Sequence, residues 1–225
     1  IFRTALRNFH GLSANTNHAR RIAAELFDIP QTMWQLTYNG IYFEELTPTR
    51  SANSVRDELG IEKPNAFVVA TAGSLRPLKR IDRLIRAVAM SPDEIDHVVV
   101  IGDGPARGEI EDLARRLGIG TRLTITGMKA RPGDYLQVAK VFVMPSSTAE
   151  SFGNAAVEAM SLAIPTIVFS DGGGLVEHVA HQATGLVVDN VAGLAEAIGL
   201  LRREPEVSSE LGSNGKRSVT SRYTV

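Results

Sequence analysis

Between residues 66 and 188 the chain carries six short apolar runs, at 66–72, 98–101, 123–126, 141–144, 166–169 and 186–188. Each is followed by a loop rich in glycine or charge. Most intervals hold a segment with helical apolar spacing, such as Ile81, Leu84, Ile85 and Val88 on one stripe. Such runs, bounded by turn residues and separated by helices, pair in parallel through right-handed crossovers, so both faces of the sheet are covered. The spacing predicts helices over 80–90, from Pro105 to Leu117, around Tyr135, after Gly153, around Glu177, over 191–203 and over 206–218. The fold class is therefore α/β, a Rossmann-like doubly wound parallel sheet. Every strand-ending loop lies at the carboxyl edge of that sheet, where ligands bind in open α/β folds.

The first 63 residues lack this rhythm. A strand is expected at 9–14, then a helix capped by Asn15 or Thr16 and stopped by Asp28-Ile29-Pro30. A second strand over 35–38 runs into Asn39-Gly40, a strong turn signal. Residues 48–53 read as a polar linker or loop into a short helix at 54–59. Ile1-Phe2-Arg3 carries no initiator methionine and reads as the middle of a longer chain.

Composition narrows the function. With 225 residues, 44% hydrophobic and 22% charged, the chain suits one large globular domain or one and a half. Lys and Arg number 24 against 25 Asp and Glu, so no overall field recruits nucleic acid or an anionic membrane. The absence of cysteine excludes a disulfide scaffold, a thiolate nucleophile and a Cys-ligated zinc. No run approaches the about 18 apolar residues of a membrane helix, and no signal-peptide pattern opens the chain.

The richest loop runs from Ser146 to Gly153, between the apolar run at 141–144 and an Ala-rich helix. Glu150 and Glu158 bracket Ser151-Phe152-Gly153-Asn154. A helix N-terminus offers unpaired N–H groups and a positive dipole end, which favour an anion such as a diphosphate. Other loops offer Gly73, Ser74, Arg76 and Lys79, then Gly102-Asp103-Gly104, then Gly172-Gly173-Gly174 with Glu177. Cations and exposed N–H groups suit a phosphate, and ionised carboxylates suit sugar hydroxyls. Together they point to a nucleotide sugar. Taken singly, these loops have blander readings: Gly102-Asp103-Gly104 is a turn in most proteins, and a glycine triplet is more often a mobile loop than a cradle. Glu177-His178-Val179-Ala180-His181 looks metal-like, but its histidines are three apart with no further partner, so metal is not expected there. No G-x-G-x-x-G follows the first run, which disfavours a dinucleotide.

In this order and spacing the residues resemble the retaining glycosyltransferases of GT-B architecture (glycosyl transferases group 1, family 4-like), which include sucrose, trehalose and many lipopolysaccharide or glycolipid synthesising transferases. The resemblance is to the C-terminal, nucleotide-sugar-binding domain and covers roughly residues 9–188. It is carried by the E-x7-E motif from Glu150 to Glu158 with Ala159-Met160 and Pro165, by Gly73-x-Leu75-x-x-x-Lys79, Gly102-Asp103-Gly104-Pro105, Pro145-Ser146 and Gly173-Gly174-x-x-Glu177 with Gly185, and by the hinge-like Tyr38-Asn39-Gly40-Ile41. It implies that Glu158 holds the ribose hydroxyls and Glu150 a hydroxyl of the donor sugar. The N–H groups around Ser151, Phe152, Gly153 and Asn154 would lie against sugar and diphosphate, with Gly73, Ser74, Arg76 and Gly102 completing the donor site. Lys79 would neutralise the departing diphosphate. Retention by front-face departure and attack makes Glu150 a positioner more than a nucleophile.

Further expectations follow from the same resemblance. The donor is UDP- or GDP-linked and no metal is obligatory. The acceptor is a lipid-linked sugar, a polysaccharide or a small molecule. The protein is cytoplasmic, either free or peripheral at the inner membrane face through an N-terminal domain not included in this chain. Residues 1–63 belong to the end of that domain and the interdomain hinge, and residues 64–225 form the donor domain. The alternatives are a catalytically inert sugar-nucleotide-binding module and a GT-B epimerase or phosphorylase. Three positions depart from the family pattern. Ser74 stands where an arginine is common, Arg80 where a glycine follows the lysine, and Ala163 where a glycine is usual. The end at Val225 stops short of the family's last helix, which crosses back to the first domain.

Overall fold

The structure, a computed structural model, describes residues 11–225. Its centre is a six-stranded sheet. In chain order the strands are β3 (Val68–Ala72), β4 (His97–Ile101), β5 (Leu123–Ile125), β6 (Val141–Met144), β7 (Thr166–Phe169) and β8 (Leu186–Val188). All neighbours are parallel and lie side by side as β5-β4-β3-β6-β7-β8. The first strand of the sheet sits in the middle and the order reverses beside it, which is the doubly wound pattern with its switch point between β3 and β6. There the pairing is short. Only Val69↔Val141 and Ala70↔Phe142 are in register, although β3 continues to Ala72 and β6 to Met144. The two strands part at their carboxyl ends and leave a crevice.

The period of two along β3, β4, β6 and β7 feeds two separate cores, which explains why these runs are largely apolar. Val68, Ala70, Val99, Ile101, Phe142 and Met144 face one core, and Val69, Val98, Val100, Val141 and Val143 the other. On the first face lie α2 (Ala52–Glu58), α5 (Pro132–Leu136), α6 (Asn154–Ser161) and the end of α8 (Pro205–Tyr223). On the second lie α3 (Ile81–Met90), α4 (Arg107–Arg116) and α7 (Val191–Arg203). Burying each Val, Leu or Ile side chain contributes about 1.5–3 kcal/mol.

The leading block is a small unit of its own. β1 (Leu12–Ala14) pairs in parallel with β2 (Trp34–Leu36) through α1 (Asn17–Phe27). Thr16 caps α1, its Oγ1 accepting from the Ala19 N–H at 3.0 Å, and Asp28 at φ 53 ends it. The strand expected at 9–14 is thus found from Leu12; Phe9 and His10 lie outside the described residues. The hinge-like segment is clasped by the end of the chain. The Ile41 N–H donates to the Tyr223 carbonyl at 2.8 Å, and Ile41 bridges to Thr224.

Differences from the predicted elements are local. The strand expected from Ala66 starts at Val68, because Phe67 is tied to Asp96 instead, its N–H donating to Oδ2 at 2.8 Å. The helix expected from Pro105 starts at Arg107, because Ala106 turns its N–H to the Leu75 carbonyl at 2.9 Å. The helix expected to end at 218 continues to Tyr223. Arg80 and Ala163, standing where the family has glycine, both adopt left-handed backbone, at φ 48 and φ 60. Side chains there carry a cost of about 1–2 kcal/mol that glycine avoids.

Candidate functional site

A cavity of about 460 Å³ opens at the switch point. Its walls come from the loop after β3 (Gly73, Ser74, Lys79), the end of β4 with Gly102, the turn after β6 (Glu150, Ser151, Phe152, Gly153), and α6 (Asn154, Ala155, Glu158). Met128, Lys129 and Pro132 close one side, and Asn15 and Asn39 reach in from the leading block and the hinge.

The turn after β6 is built on Gly153. At φ 79 it sits where only glycine is comfortable, and a Cβ there would lie 2.7 Å from Leu175 Cδ1. This left-handed residue starts α6, whose first N–H groups have no acceptor within the helix. The loops after β3 and β6 are stitched together across the crevice. The Ser147 N–H donates to the Leu78 carbonyl at 3.0 Å, and Lys79 Nζ stands 2.6 Å from Glu150 Oε2. Ser146, fully buried, donates its hydroxyl to the same oxygen at 3.1 Å. Glu150 is thus fixed from two sides, and Lys79 is a cation held at the rim of the cavity.

Glu158 is different. It lies on the first turns of α6, half-buried, and among the described residues nothing hydrogen-bonds its carboxylate. Burial alone pushes its pKa above the usual carboxylate range. A carboxylate with empty acceptor sites facing a cavity is poised for donors that come with a ligand. The folded protein therefore holds the Glu158 proton to higher pH than the unfolded chain does. Between the unfolded and folded pKa values stability falls as pH rises. We expect Glu158→Gln to melt at a higher temperature than the parent near pH 7.5, with the difference vanishing below the usual carboxylate range near pH 4. Parallel melts that show no gain at pH 7.5 would argue against this desolvated carboxylate.

The sequence-predicted residues fall into this cavity with one exception. Glu150, Lys79, Glu158, Gly153, Asn154, Phe152, Ser151, Gly73, Ser74 and Gly102 all line it. Arg76 does not. Leu75 is anchored in the core at 1% exposure, and the extended Arg76 that follows points to the other flank. It lines a separate depression with Arg80 and Arg86. Arg76 therefore does not replace the arginine missing at Ser74. The cations lining the cavity are Lys79 and Lys129. Lys129 lies 3.2 Å from Glu58 and 4.6 Å over the Tyr135 ring.

Other motifs are structural. Glu177 caps α1, accepting the Asn17 and His18 N–H groups at 3.0 and 2.7 Å. The glycine triplet is a close backbone contact, not a mobile loop, since a Cβ on Gly174 would lie 1.8 Å from the Ser151 carbonyl. His178 is buried at 1% exposure between a phenol and a carbonyl. Among the described residues no three His, Asp or Glu side chains group closely enough to share a metal ion. Sequence reasoning missed Asn15, Asn39, Met128, Lys129 and Pro132. Asn39 was visible as a turn signal and part of the hinge-like segment but not as a cavity residue, yet its Nδ2 donates to Asn154 Oδ1 at 2.8 Å and Asn15 Nδ2 donates to its Oδ1 at 3.3 Å.

Sheet order and cleft together define a doubly wound α/β domain of the GT-B kind, with a polar cavity at its switch point. Residues 54–218 match the profile of the glycosyl transferases group 1, and the chain belongs to that family. It is 33% identical over 162 residues to the lipopolysaccharide core biosynthesis glycosyltransferase LpsD of Rhizobium meliloti, covering 71% of this chain and 46% of that protein. It is 31% identical over 216 residues to a D-inositol 3-phosphate glycosyltransferase of Kribbella flavida, covering 89% and 50%. The chain thus spans about half the length of these curated relatives. The crystal structure of Anabaena HepE in complex with UDP-glucose superposes with a TM-score of 0.86 at 24% identity, covering 100% of this chain and 65% of that one. Among the described residues no helix is long and apolar enough to cross a membrane.

Proposed function

We propose that this chain is the donor-binding part of a retaining glycosyltransferase that moves a sugar from a nucleoside diphosphate to an acceptor. The observation that carries the reading is the Glu158 carboxylate, without a hydrogen-bond partner among the described residues and facing the cavity beside the N-terminus of α6. A ribose supplies two vicinal hydroxyl donors to such a group, and the helix end takes the diphosphate next to it. HepE, which shares this fold, forms a complex with UDP-glucose, in keeping with a nucleotide-sugar donor.

In this reading Glu150, fixed by Lys79 and Ser146, accepts from a donor-sugar hydroxyl. Lys79 stands where negative charge grows as the anomeric carbon–oxygen bond breaks, and stabilises the diphosphate that leaves. The acceptor oxygen attacks from the face the diphosphate vacates, and a phosphate oxygen takes its proton. No step calls for a metal. Residues 1–63 belong to the hinge and to the end of a preceding domain, which supplies the acceptor wall. The protein acts on the cytoplasmic side.

Calorimetry with UDP and GDP tests the binding half. One of the two should bind this chain, and no heat with either would sink the reading. The catalytic half needs the full-length protein. Lys79→Ala there should lower kcat by about 10²- to 10³-fold, as removal of one donor to a developing charge does. A change in KM alone would remove Lys79 from the chemistry.

A further inference from the structure

The imidazole of His178 is enclosed by aromatic rings and used at both nitrogens. Its Nε2 lies 2.7 Å from the Phe152 carbonyl and its Nδ1 lies 2.8 Å from the Tyr223 hydroxyl. A carbonyl oxygen can only accept, so Nε2 carries the proton, and the Tyr223 hydroxyl donates to Nδ1. The ring packs tilted against Phe152 at 4.4 Å and edge-on against Tyr223 at 5.1 Å between centroids. Burial, with the charge of Arg222 nearby, pushes its pKa down to about 4, and burial lifts that of Tyr223 to about 12, so both are neutral at physiological pH.

The carbonyl that His178 holds belongs to the peptide joining Phe152 to Gly153. In a trans peptide the C=O and the N–H point in opposite directions. Fixing the Phe152 oxygen toward the interior therefore aims the Gly153 N–H the other way, to the side where Phe152 and Gly153 line the cavity. Among the described residues that N–H has no acceptor. Tyr223, which locks the imidazole, sits in the last turn of α8, and its own carbonyl receives the Ile41 N–H of the hinge segment.

We propose that His178 is a positioning residue for diphosphate binding: it orients the Phe152–Gly153 peptide so that the Gly153 N–H faces the donor, and Tyr223 makes that orientation depend on α8 being docked at the hinge. The inference rests on the donor-site reading of the cavity. A peptide free to flip presents its carbonyl, a negative dipole end, to an anion for part of the time, and each flipped moment is lost to binding.

The test compares UDP and GDP affinity and melting temperature for the chain, His178→Leu, His178→Gln and Tyr223→Phe. Leucine fills the space without a donor, and is expected to weaken nucleoside diphosphate binding at least 10-fold. Glutamine restores an N–H near the Nε2 position and should recover affinity to within about 3-fold of the parent, even where its melting temperature is as low as leucine's. Tyr223→Phe keeps the rings and should cost an intermediate 2- to 5-fold. A His178→Leu chain binding within 2-fold of the parent, or a glutamine variant as weak as leucine, overturns the proposal. Should leucine prevent folding, the parent's histidine ¹⁵N spectrum decides together with Tyr223→Phe. An Nε2–H tautomer and weakened binding are expected; an Nδ1–H tautomer or unchanged Tyr223→Phe affinity overturns it. Failure of the parent to bind either nucleotide would instead strike the donor-site reading itself.

Discussion

Glu158→Ala is expected to weaken UDP or GDP binding by about 100-fold or more while leaving the chain folded. Two hydroxyl donors on one carboxylate are each worth about 1.5–3 kcal/mol, and about 1.4 kcal/mol is tenfold in affinity. Among the described residues the carboxylate has no partner to strand when it is removed, so the fold loses only the packing of a half-buried side chain. Calorimetry and thermal melting on the same sample separate the two effects. A loss under tenfold would take the ribose away from Glu158, whatever the nucleotide. The shift of its pKa by burial adds a second signature, because binding should weaken on acidification from a higher pH than an exposed glutamate would show.

The largest expected effect on stability comes from Gly102→Ala. Gly102 adopts φ 150, and a Cβ there would stand 2.0 Å from the Gly73 carbonyl oxygen and 3.0 Å from its carbon. Neither backbone can yield cheaply, because the Gly73 N–H is bonded to the Ile101 carbonyl at 3.0 Å and both residues end central strands. Strain in that backbone region costs about 1–3 kcal/mol and overpacking a similar amount. We expect about 3 kcal/mol or more, which lowers Tm by about 6–12 °C in a domain of this size. Gly60→Ala is the control: Gly60 is also left-handed, at φ 69, but open space surrounds it. Equal melting of the two variants would show that the β3–β4 loop contact is not tight.

The inner strands β3, β4, β6 and β7 were legible because they are buried on both faces and so read as largely apolar runs. Val98 to Ile101 alternates between two cores, with no residue more than 4% exposed. Glu150 and Glu158 were legible because they are close in sequence and flank a glycine turn. Asn15, Asn39 and Lys129 were not, since each reaches the cavity from an element whose local pattern says only cap, turn or loop. Glu177 was legible as a residue and not as a role. Nothing near it in sequence shows that the N-terminus of α1 arrives beside it, 160 positions away.

Arg76 shows the same limit from the other side. Its type and loop made it a candidate, but side-chain direction is set by the anchoring of Leu75, and that anchoring is tertiary. His178, at which no metal was expected, is the interior partner of the turn that holds Phe152 and Gly153.

The sequence by itself determined the parallel α/β class, the edge of the sheet where the loops gather, and the E-x7-E turn between Glu150 and Glu158, because periodicity, turn chemistry and helix starts are local properties. Only the tertiary structure decided that β3 and β6 part beyond Ala70 and Phe142, that Lys79 meets Glu150 across 71 residues, and that Glu158 has no hydrogen-bond partner among the described residues. The reason is physical: burial, charge pairing and the direction in which a peptide N–H points depend on what packs against a residue from distant parts of the chain, and the turn from Glu150 to Glu158 draws its chemistry from those neighbours.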